Sequence, residues 1–182
     1  MEIKYVSGDD LSPAPWRCTY ILRPDMKVLQ QSLEDYGWIQ PIIVNENGNY
    51  IIDGFHRAYI AGSSKKMRKR DKGLIPVSYV DLDSVEAMLM HLRLNRGKGL
   101  TTGKGTSNIV KSLIKSRAYD QSTLRDMLAM SREEFDLMLD GTLLKQRKID
   151  THQYSKAWIP IEVPAGTAEH KMSVERPPNP DR

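Results

Sequence analysis

The chain has 182 residues, 40% of them hydrophobic, enough for one sizeable core or a small core with a helical appendage. No apolar run approaches the ~20 residues of a membrane helix, Met1 to Asp10 lacks the basic start and apolar centre of a secretory signal, and the lone Cys18 excludes an internal disulfide or a thiolate cluster. The net charge of +4 is modest but uneven: Ala87 to Tyr119 contains no Asp or Glu, yet holds Arg93, Arg96, Lys98, Lys104, Lys111, Lys115 and Arg117, a segment that attracts phosphate.

These features predict a cytoplasmic chain with no membrane partner and a buried, inert Cys18. The first element is an amphipathic helix: Pro24 suits its first turn, Met26, Leu29, Leu33 and Tyr36 recur at helical spacing, and Gly37 stops it. Two short apolar runs follow, Pro41 to Val44 and Tyr50 to Ile52, joined by the turn-rich Asn45-Glu46-Asn47-Gly48-Asn49, which predicts a hairpin. A helix starts near Gly54. Ser63 to Lys72 then sets six cations, Lys65, Lys66, Arg68, Lys69, Arg70 and Lys72, against Asp71, as either a solvated loop or a nucleic-acid patch.

Residues 75 to 82 alternate as a strand, and Pro76 places that strand at an edge or Pro76 among its first residues. Asp83 and Glu86 have capping-box spacing for a helix running towards Asn95, with Val85, Leu89 and Leu92 on its apolar side. Four glycines then fall between Arg96 and Gly105, which predicts a close approach to a ligand or a flexible link. Three helices are expected beyond: Ser107 to Arg117, Ser122 to Ala129, and Ser131 to Asp140 with Ser131 and Glu134 as a capping box and Gly141 as the stop. Five prolines between 150 and 182 predict an extended arm and disordered tail, with Trp158 and Ile159 as anchors to a surface.

Chemistry concentrates at Tyr50-Ile-Ile-Asp-Gly-Phe-His-Arg-Ala58, a strand passing through Gly54 directly into a helix. Unsatisfied N–H groups and the macrodipole of a helix start attract anions, Arg57 can grip phosphate in a bidentate pair, His56 can donate to the same group, and Gly54 lets it come close. The alternative is a tight corner whose Arg57 pairs with Asp53 or Glu34. The four His residues are scattered, no spacing matches a metal site, and Gly103-Lys104-Gly105-Thr106 lacks the leading Gly and strand of a P-loop.

Gln40-Pro41-Ile42-Ile43-Val44, a turn, and Ile51-Ile52-Asp53-Gly54-Phe55-His56-Arg57-Ala58 together resemble the N-terminal domain of ParB-family partition proteins and the related sulfiredoxins, from about Leu11 to Gly105. The resemblance implies an α+β fold, a mixed sheet with helices, over residues 1–105, followed by a helix-turn-helix-like region (106–149) and the arm and tail (150–182). It further implies that Gly54, Phe55, His56 and Arg57 bind the phosphates of a nucleoside triphosphate, CTP or ATP with Mg²⁺. By the same resemblance Asn95 helps hold the metal and Arg96 the phosphates. Phe55 stands where sulfiredoxins carry their nucleophile, which excludes that repair chemistry, and where partition proteins carry an acid.

The residues from Ser122 to Leu139 have helix-turn-helix spacing, but Glu133, Glu134, Asp136 and Asp140 on the second helix favour a packing or oligomerisation bundle over a sequence reader. DNA contact would instead run through Lys98, Lys104, Lys111, Lys115 and Arg117. The leading expectation is therefore a nucleotide-binding, DNA-associated protein of phage or mobile-element type, with a homodimer as a further expectation. The alternatives are a small-molecule kinase or nuclease on the same scaffold, with Asp53, His56 and Glu34 as candidate catalytic groups, or an accessory that only binds protein.

Overall fold

The computed structural model describes residues 2–99 and 101–140. The expected Gly141 stop, the arm with Trp158 and Ile159, and the proline-rich tail lie outside the described residues. Chain order is β1 (Lys4–Ser7), a 3-10 turn (Gly8–Asp10), β2 (Ser12–Pro13), α1 (Arg23–Tyr36), β3 (Ile42–Asn45), β4 (Tyr50–Asp53), α2 (Phe55–Ser63), α3 (Lys65–Asp71), β5 (Leu74–Val80), α4 (Ser84–Gly97), α5 (Gly103–Lys115), α6 (Gln121–Met127) and α7 (Arg132–Asp140). The sheet has the order β1-β5-β3-β4-β2 and is mixed, with β5 and β3 parallel and the β3–β4 hairpin antiparallel. The fold class is α+β, as the sequence implied.

Two apolar clusters hold it together. Met26 and Leu33 of α1, Ile60 and Ala61 of α2 and Met67 of α3 pack with Ile42, Val44, Ile51, Ile75 and Val77 of the sheet. Met88, Leu89 and Leu92 of α4 pack with Ile109, Val110 and Leu113 of α5, Leu124 of α6, and Phe135 and Met138 of α7, and Cys18 joins this second cluster. Full burial of each such side chain stabilises by roughly 1.5–3 kcal/mol. Tyr36, counted on the apolar side of the first helix, is exposed, because α1 ends there and Gly37 turns the chain away.

Of the two placings expected for Pro76 the second holds: β5 is an interior strand flanked by β1 and β3, Pro76 is its third residue, and its pairing with β3 starts at Val77, so the missing N–H falls just before that ladder. Two other expectations change. The fifth helix begins at Gly103, four residues before Ser107, with the Thr102 side chain accepting from the Gly105 amide as its cap. Gly103 and Gly105 are thus helical rather than part of a link. The sixth helix is capped by Asp120, whose carboxylate accepts from Ser122 and Thr123, which holds it well below the usual carboxylate range. No helix among the described residues is long and apolar enough to cross a membrane.

Candidate phosphate-binding site

Strand β4 passes into α2 through Gly54, whose φ of +94° is left-handed. The left-handed conformation is what requires glycine; a Cβ there would also stand 2.8 Å from Ile42 Cδ1 and 2.9 Å from Arg57 Nη2, flexible side-chain ends that would have to shift. The first bond of α2 runs from the Ala58 amide to the Gly54 carbonyl. The N–H groups of Phe55, His56 and Arg57 precede it; no side chain caps them, and the first turn holds no acid. Such a helix start is positively polarised and has donors to spare.

Arg57 faces back along the chain. Its Nη1 donates to the carbonyls of Gln40 (2.5 Å) and Pro41 (3.2 Å), and its Nη2 to Asp53 at 3.3 Å. Of the two partners weighed for it, Asp53 is the one it has. Lys98, just past the end of α4, places Nζ 2.8 Å from both oxygens of the same carboxylate. Arg17 lies over the Phe55 ring, 4.3 Å from its centroid. Two cations therefore share one carboxylate, and a third, Arg17, lies over the first ring of α2. Burial lowers the pKa of Arg17 and Arg57 from the ordinary value, yet guanidinium remains charged. His56 is pushed down to about 4 by burial, then by the Arg17 charge, against an opposing pull from Asp53, so at neutral pH it is an uncharged donor.

The remaining expected site residues divide. Asn95 is buried, its amide donating to the His91 carbonyl at 2.7 Å, and is not presented to a ligand. Arg96 is corrected: its guanidinium is turned to α7, 2.6 Å from Glu134, and Lys98 supplies the cation beside the motif. The physical reason is helical phase, since residues 91, 95 and 98 share one face of the α4 line whereas 93 and 96 look towards α6 and α7. Arg93 accordingly donates to the Met127 carbonyl. Glu34 is also corrected as a catalytic candidate. It accepts from Gln30 and from Ser64, the C-cap of α2, and so sits at the opposite end of that helix from Gly54. Its partners, Ser64 first, hold its pKa below the usual range.

Sequence reasoning missed Arg17, which lies in no motif, and took Lys98 as part of the basic phosphate-attracting stretch and as a DNA contact, not as a partner of Asp53. Lys104, Lys111, Lys115 and Arg117 are exposed, the three lysines along the outer side of α5 with Asn108 between them. Helix α7 packs against α5 through Phe135 and Met138, and Ser107 of α5 donates to the Met138 carbonyl. Among the described residues no group of three His, Cys, Asp or Glu could hold a metal ion. With Asn95 committed to His91 and Asp53 to two cations, the residues present do not fit a protein-held Mg²⁺. Cys18 is fully buried and its thiol is pushed up to about 12 by that burial.

No family model matches the chain. The uncharacterized protein YbdM of Escherichia coli strain K12 is 30% identical over 159 residues, covering 86% of this chain and 75% of that protein. A Pnob8-like ParB-N domain aligns with 80% of this chain and 72% of its own at a TM-score of 0.58 and 15% identity. The C-terminally truncated chromosome-partitioning protein ParB of Caulobacter crescentus, complexed to the centromeric parS site, aligns with 81% of this chain and 78% of its own, at a TM-score of 0.52 and 16% identity.

Proposed function

Because this chain belongs to the family of Escherichia coli YbdM and has the fold of ParB N-terminal domains, we propose that it binds a nucleoside triphosphate, with phosphate seated at the start of α2. The observation that carries this reading is the uncapped start of α2, free of acid in its first turn, beside which Lys98 and Arg57 share the Asp53 carboxylate and Arg17 lies over the Phe55 ring. With His56 neutral, Lys98 and Arg57 outnumber the Asp53 carboxylate they share, and the Arg17 guanidinium lies over the same helix start, a setting suited to a phosphate group. The backbone amides supply directed hydrogen bonds, and Lys98, the most accessible of the cations paired with Asp53, swings from that carboxylate to the ligand. Any Mg²⁺ would be carried in by CTP or ATP on phosphate oxygens and water.

The experiment is a thermal-shift series with the four ribonucleoside triphosphates, each with and without Mg²⁺, on the wild type and Lys98→Glu. A ligand that binds only the native state raises Tm by mass action. A base-selective rise that shrinks in Lys98→Glu is the expected result; absence of any rise with all four would sink the nucleotide reading.

A DNA-associated role is the second part of the reading, and its support is the exposed row Lys104, Lys111 and Lys115 on α5, continued by Arg117. The Caulobacter neighbour is complexed to parS, and here the duplex backbone would lie along α5. The acidic α7 is better suited to packing than to base readout. The enzymatic alternative draws less from the geometry: Glu34 is remote from His56, and the Asp53 carboxylate is engaged by Lys98 and Arg57 rather than poised as a base.

A further inference from the structure

Arg17 reaches the candidate site on a short segment, Trp16 to Thr19, that belongs to no named strand. Thr19 makes an isolated antiparallel bridge with Thr101, and the Cys18 carbonyl accepts from the Thr102 amide at 2.8 Å and its hydroxyl at 3.3 Å. Gly105 in the first turn of α5 leaves no room to spare: a Cβ there would stand 2.5 Å from the Cys18 Cα and 2.9 Å from the Arg17 carbonyl oxygen. On the other side stands His91 of α4. Its Nδ1 lies 2.6 Å from the Ile52 carbonyl, and its Nε2 is 3.3 Å from the Cys18 amide nitrogen. The Trp16 ring meets the imidazole edge-on at a centroid distance of 5.3 Å.

These partners fix the proton. A carbonyl only accepts, so Nδ1 carries the hydrogen; a backbone amide only donates, so Nε2 presents its lone pair. The 3.4 Å approach of the Asn95 amide nitrogen to Nδ1 is then a contact between two donors, and that amide bonds the His91 carbonyl instead. A neutral His91 thus ties the end of β4, one residue before Asp53, to the residue that follows Arg17. The charged groups that act on it are Asp53, Arg17 and Lys98.

We infer that His91 is a positioning residue for the phosphate site: as the Nδ1–H tautomer it latches the Trp16–Thr19 segment to β4 and thereby sets Arg17 over Phe55, facing the start of α2. This rests on the phosphate-binding reading above. The imidazole touches no ligand in this arrangement; it acts through the Cys18 amide.

The test compares His91→Asn with His91→Gln. The asparagine amide reaches only the Nδ1 position and keeps the bond to Ile52, whereas glutamine reaches the Nε2 position, where its oxygen can accept from Cys18. Triphosphate affinity is measured by calorimetry for wild type, both variants, Arg17→Ala and the double variant Arg17→Ala/His91→Asn. The latch predicts a loss of roughly tenfold in His91→Asn, recovery in His91→Gln, and no further loss from His91→Asn once Arg17 is gone, since coupled residues are non-additive. Additive losses, or wild-type affinity in His91→Asn, overturn it.

Should the wild type bind no triphosphate, the phosphate reading fails and the latch is judged alone. Amide exchange at Cys18, referred to global unfolding stability, then decides. Faster exchange in His91→Asn with recovery in His91→Gln upholds the latch, and unchanged exchange removes it.

Discussion

Lys98 Nζ stands 2.8 Å from both carboxylate oxygens of Asp53, and Arg57 approaches the same carboxylate at 3.3 Å. Asp53 is therefore an internal anion occupying two of the cations that a phosphate would use. Asp53→Asn should raise triphosphate affinity by roughly three- to tenfold, the effect of about 1 kcal/mol from removing one competing charge in a partly solvated site. It should also lower stability by about 1–3 kcal/mol, because Arg57 is mostly buried and loses a charged partner. Calorimetry and urea unfolding read the two effects separately. A fall in affinity would instead assign Asp53 a direct part in holding the ligand.

Stability should depend on pH through His56. Its folded pKa of about 4 lies below the ordinary 6.5, so between these values the unfolded chain binds more protons. The contribution is fully present above about pH 6.5 and is lost as pH falls towards 4. Its size is about 2–3 kcal/mol, reduced for partial exposure of the ring. His91, whose pKa burial also lowers, adds in the same direction. Urea unfolding from pH 4.5 to 7.5 checks this, with His56→Gln giving a shallower slope.

Gly105→Ala separates helix propensity from packing. At an unobstructed helical position the change gains up to ~1 kcal/mol. Here the new methyl meets backbone atoms of Arg17 and Cys18 rather than the flexible end of a side chain. The net effect should be destabilising by about 1–3 kcal/mol, and triphosphate affinity should fall because the Arg17 segment is displaced. A stabilised Gly105→Ala would show that this segment is free to retreat from α5.

Arg96→Ala should leave triphosphate affinity unchanged while lowering stability by about 1 kcal/mol, since its guanidinium pairs with Glu134 across α4 and α7 at a partly exposed site. Lys98→Ala should instead lower triphosphate affinity, with a stability loss of similar size because it too gives up a partly exposed ion pair, with Asp53. Matched melting and calorimetry on the two variants decide which cation serves the site; loss of binding in Arg96→Ala would restore the assignment implied by the family motif.

Much of this arrangement was legible because local chemistry and fold agree. The Asp83–Glu86 capping box and the passage from β4 through Gly54 into α2 carry their own cap or turn residues and lie where the sequence puts them, and the hairpin turn differs only in that Asn45 ends β3 and the turn spans 46–49. What stayed hidden was tertiary. Gly105 looks like loop glycine until the Arg17–Cys18 backbone is seen against it. Arg17 lies in an irregular segment with no periodicity, far along the chain from its neighbours at Phe55 and His91. Lys98 was recoverable in principle, because its spacing of three from Asn95 and seven from His91 marks one helical face. The adjacent Arg96 drew attention by resemblance and faces α7 instead.

The row on α5 makes a quantitative prediction for DNA. Lys104, Lys111 and Lys115 project from the side opposite Ile109, Val110 and Leu113, which are buried. No salt bridge engages these lysines among the described residues. Each lysine that neutralises a duplex phosphate releases a counterion, so log affinity falls with log salt at a slope of about −0.9 per contact. Replacing all three by Gln should weaken binding to any duplex by a similar factor and make the salt slope shallower by roughly 2.7, with little change in stability because the helix keeps its buried side. Fluorescence anisotropy at several salt concentrations, on two unrelated duplexes, measures this. An unchanged slope would remove α5 from the interface; a loss confined to one duplex would assign it a part in base readout. Lys98→Gln in the same assay should leave the slope as it is, because that lysine is turned to Asp53 beside α2 and not along α5.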